Sequence, residues 1–304
     1  MKVDNLDFKI NEFWKFLDQN LLTNVSTLDL SKFREPGSIN NRLATWDPYD
    51  RNSCRYYKNI LYNLIISMPD KFFYYYKKIG NTNIGNPIFV TVRKIKINFD
   101  YTFSVQEILF CEETLKSINT ICEIGAGFGR TCHSIIRNFS NIHRYTIIDL
   151  PSCLKLSQRY LKKVLDHGEY KKIKFVENDN ASEIKSAELF INIDSFAEMD
   201  ARVVKNYLSL INDKGKYFYS RNTVCKYHPS TIGLTNYDKI QLKNAFSTGL
   251  CTEIYDIFNE EELNKARINY NMRYCPLDKC WYLVKSKISE PWQYYQHSLF
   301  QNSC

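Results

Sequence analysis

Long apolar runs are missing from this 304-residue chain, and no stretch approaches the roughly 18 apolar residues a membrane helix needs. Met1 to Trp14 contain no apolar segment of the kind a secretory leader carries. A cytoplasmic protein is therefore expected, with its 10 cysteines held as reduced thiols. Cys275 and Cys280 come nearest to a metal-binding spacing but have no second close pair, so structural zinc is not expected. Glycine and proline are scarce, at 10 and 8 residues, which argues for long regular elements rather than a turn-rich sandwich. Repeats and low-complexity tracts are absent. The net charge of +8 favours an anionic partner, yet no run of five like charges occurs. Scattered groups such as Lys77-Lys78 and Lys171-Lys172 read as solvated faces.

What remains is ordinary globular composition, with three regions along it. Residues 1–87 read as a mainly helical extension, a possible substrate cover. Phe13, Phe16 and Leu17, then Ile60, Leu61, Leu64 and Ile65, fall at helical spacing. Between them lie loop-like Arg34 to Ser38 and Trp46-Asp47-Pro48-Tyr49. Residues 88–286 read as one ligand-binding domain and 287–304 as a C-terminal tail. Ile88–Val92 and Lys94–Ile97 are strand-like, and Val105–Leu115 helical. From about residue 119, short apolar runs alternate with helices, the pattern of βαβ units. Seven strands are predicted: Thr120–Ile124, Arg144–Ile148, Ile173–Val176, Leu189–Ile193, Lys216–Ser220, Glu253–Phe258 and Trp281–Val284. The first five are separated by helices and the last two are not. The expected fold is α/β, a Rossmann-like, mostly parallel seven-stranded sheet with an antiparallel last strand and an N-terminal helical extension.

The first strand ends in Glu123-Ile124-Gly125-Ala126-Gly127-Phe128-Gly129 and leads into a helix. Glycines let the backbone turn sharply and approach a ligand without a Cβ. A dinucleotide fold needs G-x-G-x-x-G; counted from Gly125, its third glycine is Arg130 here. The E-x-G-x-G-x-G spacing matches the first motif of class I methyltransferases, whose cofactor is S-adenosyl-L-methionine. Asp149 ends the second strand, where a carboxylate can accept both ribose hydroxyls or else cap the following helix. After the third strand, Asn178 and Asp179 sit where adenine edges are read, Asp179 being the expected partner of the exocyclic amine. Ala126, Leu150 and Asn192 complete the expected cofactor contacts.

Taken together, EIGAGFGRT at 123–131, YTIIDLPSCLKLSQRYL at 145–161, LFINIDSFAEMD at 189–200 and GKYFYSRN at 215–222 resemble a family of bacterial sugar O-methyltransferases. The resemblance covers about residues 84–225 and includes Gly85-Asn86-Pro87. It implies methyl transfer to a sugar hydroxyl in polysaccharide, lipopolysaccharide or glycosylated-metabolite synthesis, with Glu123, Gly125, Gly127, Asp149 and Asp179 in cofactor roles. It supplies no catalytic base.

Methyl transfer to a hydroxyl calls for alignment of an in-line displacement and for removal of a proton, a step worth roughly 10²–10⁴-fold. The exit of the fourth strand carries Asp194 and Glu198, four residues apart. Asp194 is the first candidate for the base; it could instead orient a sugar hydroxyl. Glu198 is the second, although Ser195-x-x-Glu198 also spells a capping box. His228, in the loop after the fifth strand, is the third because imidazole titrates near neutrality, a surface-loop role being the alternative. His133 is expected outside the pocket. Arg221, Asn222 and Tyr49 are the expected substrate contacts, with Trp46, Tyr56 and Tyr57 available to stack on a sugar or to pack in a core. Asp194 with Glu198 or Asp200 could hold a divalent metal, but no spacing demands one and none is expected. A sugar-containing acceptor is the expected partner. RNA methylation and a non-catalytic binding subunit are the alternatives; no nucleic-acid partner is expected.

Overall fold

The computed structural model describes residues 9–20, 29–33, 51–232, 238–276 and 280–304. Among them no helix is long and apolar enough to cross a membrane. The first helix is α1 (Glu12–Asn20). Then come α2 (Arg51–Ile66), α3 (Asp70–Ile79), β1 (Phe89–Val92), β2 (Ile95–Asn98) and α4 (Phe99–Ser117). Alternation follows: β3 (Thr120–Ile124), α5 (Arg130–Asn138), β4 (Arg144–Asp149), α6 (Pro151–Val164), α7 (His167–Tyr170), β5 (Ile173–Glu177), β6 (Ala187–Ile193), α8 (Ala201–Lys214) and β7 (Gly215–Thr223). The chain ends with α9 (Lys239–Phe246), α10 (Glu260–Tyr274), β8 (Trp281–Ile288) and β9 (Tyr295–Asn302).

Seven strands form one sheet in the order β5-β4-β3-β6-β7-β9-β8. The β4/β5, β3/β6 and β6/β7 pairs are parallel, whereas β9 runs antiparallel to both β7 and β8. The α/β class, the strand count and the antiparallel end match the expectation. Two assignments do not. Glu253–Phe258 is no strand: Ile254 makes a single bridge to Lys226. Asp256 then turns the chain, its carboxylate accepting the Phe258 N–H at 2.9 Å, and Phe258 is exposed. The missing strand is β9, inside the stretch expected as a tail. Its sequence YQHSLFQN has no β-branched residue and carries polar side chains on buried positions, so it lacks the usual signal of a strand.

By chain contacts the protein divides into two compact units, one of residues 1–16, 121–125 and 178–304, the other of 17–120 and 126–177. In the first unit β3 and β6 to β9 pack beneath α8 and α10. Phe196 stacks on Tyr207 and Tyr274, and Phe218 on Phe300. Tyr270 of α10 reaches the sheet, its hydroxyl 2.6 Å from Ser220 Oγ and accepting the Asn222 N–H. Asp200 caps α8 and Asn259 caps α10 through their side chains. Cys280 and Cys304 are joined, with Cα atoms 5.6 Å apart. This departs from the expectation of thiols throughout; the other eight cysteines are free.

In the second unit β1 and β2 form a hairpin whose two turn residues, Arg93 and Lys94, both have positive φ, as a two-residue loop of this twist requires. Arg93 is steadied by Asp70 at 2.6 Å and by the Phe73 ring 4.0 Å below it. Asn98 then caps α4. The core is aromatic around a polar centre: Tyr101 Oη lies 2.6 Å from His133 Nδ1 and 2.5 Å from Tyr160 Oη, with Phe33 and Phe128 against Tyr160. His133 is thus a buried core histidine.

Candidate functional site

Sheet order reverses at β3: successive strands run outward through β4 and β5 on one side and through β6 and β7 on the other. In open α/β sheets ligands bind outside the carboxyl ends of strands at such a switch. The glycine loop leaves β3 at this end. Gly125, Gly127 and Gly129 all have positive φ, for three different reasons. A Cβ on Gly125 would lie 2.1 Å from Ser195 Oγ, so this glycine admits the turn after β6. A Cβ on Gly129 would lie 2.8 Å from Leu161, so that one lets α5 pack on α6. Gly127 donates its N–H to Asp149 Oδ2 at 2.8 Å. Gly125, Ala126 and Gly127 remain half-exposed while Phe128 and Gly129 are buried, so only the front of the loop is open to a ligand. Arg130, in place of the dinucleotide glycine, points to α4 and pairs with Glu107 at 2.9 Å. Glu123, at the end of β3, is buried.

Asp149 is tied to the loop rather than to the helix behind it. Its Oδ2 accepts from Gly127 and its Oδ1 accepts the Leu150 N–H at 2.8 Å. Leu150 is the cap residue of α6, which begins at Pro151 with no side-chain cap, so neither Asp149 nor Ser152 caps it. Burial pushes the Asp149 carboxyl up to about 6. The Leu150 and Gly127 N–H groups pull the other way, with lesser help from the Cys153 thiol and the Ala126 N–H. The result is a carboxylate fixed in direction by backbone donors. Asn178 donates its side-chain N–H to the exposed Asp179 carboxylate at 2.8 Å, at the start of a 3-10 segment following β5.

The exit of β6 is a built structure. Asn192 Nδ2 donates to Ile124 O and Ser195 Oγ, and its Oδ1 accepts from Phe196 N–H and Asn222 Nδ2. Asn222 Nδ2 donates also to Ser220 Oγ, and its Oδ1 accepts the Ala197 N–H. Both residues are fully buried and every side-chain N–H is used. Asn192, expected as a cofactor contact, and Asn222, expected as a substrate contact, thus have their amides engaged within the protein. Asn222 lies two positions beyond Ser220, the register partner of Asn192, and the two amides together brace the turn.

That turn holds Asp194 in a left-handed backbone, φ 66 and ψ −36, a region that costs a residue with a Cβ about 1–3 kcal/mol. The Asp194 N–H donates to Arg221 O at 2.8 Å. Its Oδ1 accepts the Tyr295 hydroxyl at 2.9 Å, and the residue stays exposed. Ser195–Ala197 is one 3-10 turn without a side-chain cap, so the capping box is not formed: Ser195 Oγ instead donates to Ile124 O at 3.2 Å. The Glu198 carbonyl accepts Trp14 Nε1 at 3.0 Å, bringing α1 onto the turn. Lys226 Nζ donates to Ala197 O at 2.8 Å and to Thr248 Oγ1 at 3.2 Å. Burial lowers the Lys226 ammonium, and the Glu198 and Asp194 carboxylates oppose that shift.

Arg221 is buried in β7, its Nε 3.0 Å from Ser289 Oγ and its guanidinium 5.0 Å above the Tyr295 ring. His228 Nδ1 lies 2.7 Å from Ser230 Oγ and accepts the Ser230 N–H, shaping its own loop. Tyr57 packs on Phe99 in the core and Tyr56 is exposed. Tyr49 and Trp46 lie outside the described residues. Reading the sequence missed Tyr295, Lys226 and Trp14. Lys226 is two residues from His228 and so was within reach; Tyr295 required knowing that β9 exists.

No family model and no curated protein matches this chain. Among solved structures it is similar to the methyltransferase domain of bacterial CtHen1 (TM-score 0.48, 11% identity, 68% of this chain and 100% of that one). It is also similar to the mitomycin 7-O-methyltransferase MmcR (TM-score 0.45, 10% identity, 93% and 76%). A third likeness is to magnesium protoporphyrin IX methyltransferase from Synechocystis PCC 6803 with bound SAH (TM-score 0.41, 13% identity, 80% and 100%). With every one of these TM-scores below 0.5, the likeness carries no argument about what the site binds.

Proposed function

We propose that this chain is an S-adenosylmethionine-dependent O-methyltransferase whose acceptor is a sugar hydroxyl. The observation that carries the donor half is the Asp149 carboxylate bonded to the Gly127 N–H. It couples the half-exposed front of the glycine loop to an acidic residue ending the next strand. The residues fit the cofactor. Asp149 is an acceptor aimed by backbone donors, and two ribose hydroxyls are stronger donors than the Cys153 thiol that now adjoins it. Ala126 and Gly127 present half-exposed backbone beside Asp149, while Glu123, Gly125 and Asp179 are assigned cofactor roles by the motif resemblance. When bound, S-adenosylmethionine supplies a methyl group on a sulfonium, and transfer forms the oxygen–methyl bond as the carbon–sulfur bond breaks.

Asp194 is the proposed base. Its carboxylate is exposed on a strained, braced turn at the end of β6, and strain of this kind gathers where a side chain must be aimed. It takes the proton from the acceptor hydroxyl. Glu198 and His228 rank behind it, the first on a turn without the predicted cap and the second occupied with its own loop. The sugar acceptor, and its place in polysaccharide or glycoconjugate synthesis, rests on the motif resemblance over residues 84–225. Cytoplasmic location belongs to the same proposal.

Calorimetry with S-adenosylmethionine tests the donor, and absence of binding at millimolar cofactor rejects the proposal. Labelled cofactor incubated with nucleotide-sugars, glycan extract or total RNA tests the acceptor. Label in the sugar fractions is expected; label in RNA alone overturns the sugar reading.

A further inference from the structure

We infer that Tyr295 is a positioning residue for Asp194, its phenol holding that carboxylate in the orientation and the ionised state a base needs. The inference rests on the proposal that Asp194 takes the acceptor proton. Tyr295 belongs to β9 and is separated from Asp194 by 101 positions in sequence, yet its hydroxyl donates to Asp194 Oδ1 at 2.9 Å.

Both ends of this hydrogen bond are fixed independently of it. On the Asp194 side, the backbone is set in its left-handed conformation by the N–H bond to Arg221 O and by Asp194 O accepting the Ala197 N–H at 3.1 Å. On the Tyr295 side, β9 pairs with β7 in register, Thr223 facing Tyr295. The Tyr295 N–H donates to Trp292 O at 3.0 Å and its carbonyl accepts from Ser289 at 2.9 Å. The ring lies under the Arg221 guanidinium and 5.1 Å from Tyr294. The same arginine therefore contributes its carbonyl to one partner and its cation to the other. A phenol locked in this way directs the carboxylate without rotating with it.

The chemistry follows from the direction of donation. A donor to a carboxylate favours the ionised form, which a pH titration reads; because this does not make the carboxylate more basic, the gain in proton transfer comes from its fixed direction. The groups that interact electrostatically with Asp194 are Lys226 in the loop beyond β7, Tyr295 on β9 and Tyr294 just before it, with Arg221 on β7 against Tyr295 and Glu198 against Lys226. The Lys226 cation acts with the phenol in favouring a charged carboxylate. Tyr295 itself stays protonated, because burial and then the Asp194 charge raise its phenol well above the usual range, so it acts as a donor throughout the working pH.

The test uses the full chain labelled with ¹³C at aspartate Cγ and needs no acceptor. The resonance of Asp194 is the one that Asp194→Asn removes, and its pH titration is followed in the unmodified protein, in Tyr295→Phe and with 3-fluorotyrosine at position 295. Tyr295→Phe keeps the ring and its arginine contact and should move the midpoint to higher pH. The fluorinated phenol, a stronger donor, should move it to lower pH, a pair of opposite shifts that a merely structural tyrosine does not produce. An unchanged midpoint in both overturns the inference, and the fluorotyrosine protein decides alone should Tyr295→Phe not fold. Methyl transfer to a nucleotide-sugar pool is read beside it, with Tyr295→Phe expected to lower kcat about tenfold, within the range of proton-transfer assistance, at unchanged KM for S-adenosylmethionine. Full methyl transfer by Asp194→Asn rejects Asp194 as base. Loss in Asp194→Asn with wild-type kcat and midpoint in Tyr295→Phe rejects the positioning role alone.

Discussion

On the proposal that Asp149 holds the ribose, its charge state joins stability to cofactor affinity, and it can be perturbed by pH. Raising this carboxyl from 3.8 to about 6 corresponds to at most about 3 kcal/mol between its two protonation states. The native carboxyl keeps its proton to a higher pH than the unfolded one. Between pH 3.8 and about 6 the native state therefore binds more protons, and stability falls as pH rises through that window. Asp149→Asn has no such titration. Urea unfolding of both proteins from pH 4 to 7 should show wild-type stability declining relative to the variant by up to about 3 kcal/mol, with no further change above pH 7. Affinity should run the other way. If ribose hydroxyls donate to the ionised carboxylate, a carboxyl at about 6 makes the Kd for S-adenosylmethionine at pH 5 about tenfold higher than at pH 7. A wild-type-minus-variant stability curve that is flat from pH 4 to 7 would refute the buried-carboxylate argument. An unchanged Kd between pH 5 and 7 would remove Asp149 from the ribose.

Other positions give independent checks. Gly125→Ala places a methyl 2.1 Å from Ser195 Oγ at a φ of 75°, and should lower stability by about 2–4 kcal/mol in thermal or urea unfolding; adding Ser195→Gly should recover the steric part, and no recovery argues against this contact. Asn222→Ala removes the Asn222 amide from the Ala197 N–H and Asn192 Oδ1, which keep Asp194 O and the Phe196 N–H, and should cost about 1–3 kcal/mol; a variant of normal stability with a raised acceptor KM would support Asn222 as a substrate contact. Tyr101→Phe removes the hydroxyl shared by His133 and Tyr160, for an expected loss of about 1–3 kcal/mol measured by chemical denaturation, with cofactor binding retained at neutral pH.

Local signals sufficed for much of this protein. A strand buried on both faces reads as a short apolar run, so β3, β4 and β6 were visible within a few residues of their ends. The glycine spacing and Asp149 were visible because a tight turn and a strand-end carboxylate are properties of consecutive residues. What contiguous sequence could not decide was the use of each group. Three glycines that look alike serve Ser195, Leu161 and Asp149 in turn, since what a Cβ would meet depends on chain brought from 70 or 32 positions away. Asn192 and Asn222 carry amides suited to ligands, and only the β6–β7 register shows that they satisfy one another. The same holds for β9: its polar residues are buried because β7 and β8 flank it, and with it comes the phenol that meets Asp194. Periodicity records which face of an element is apolar, whereas hydrogen-bond partnership at long range is a property of the assembled sheet.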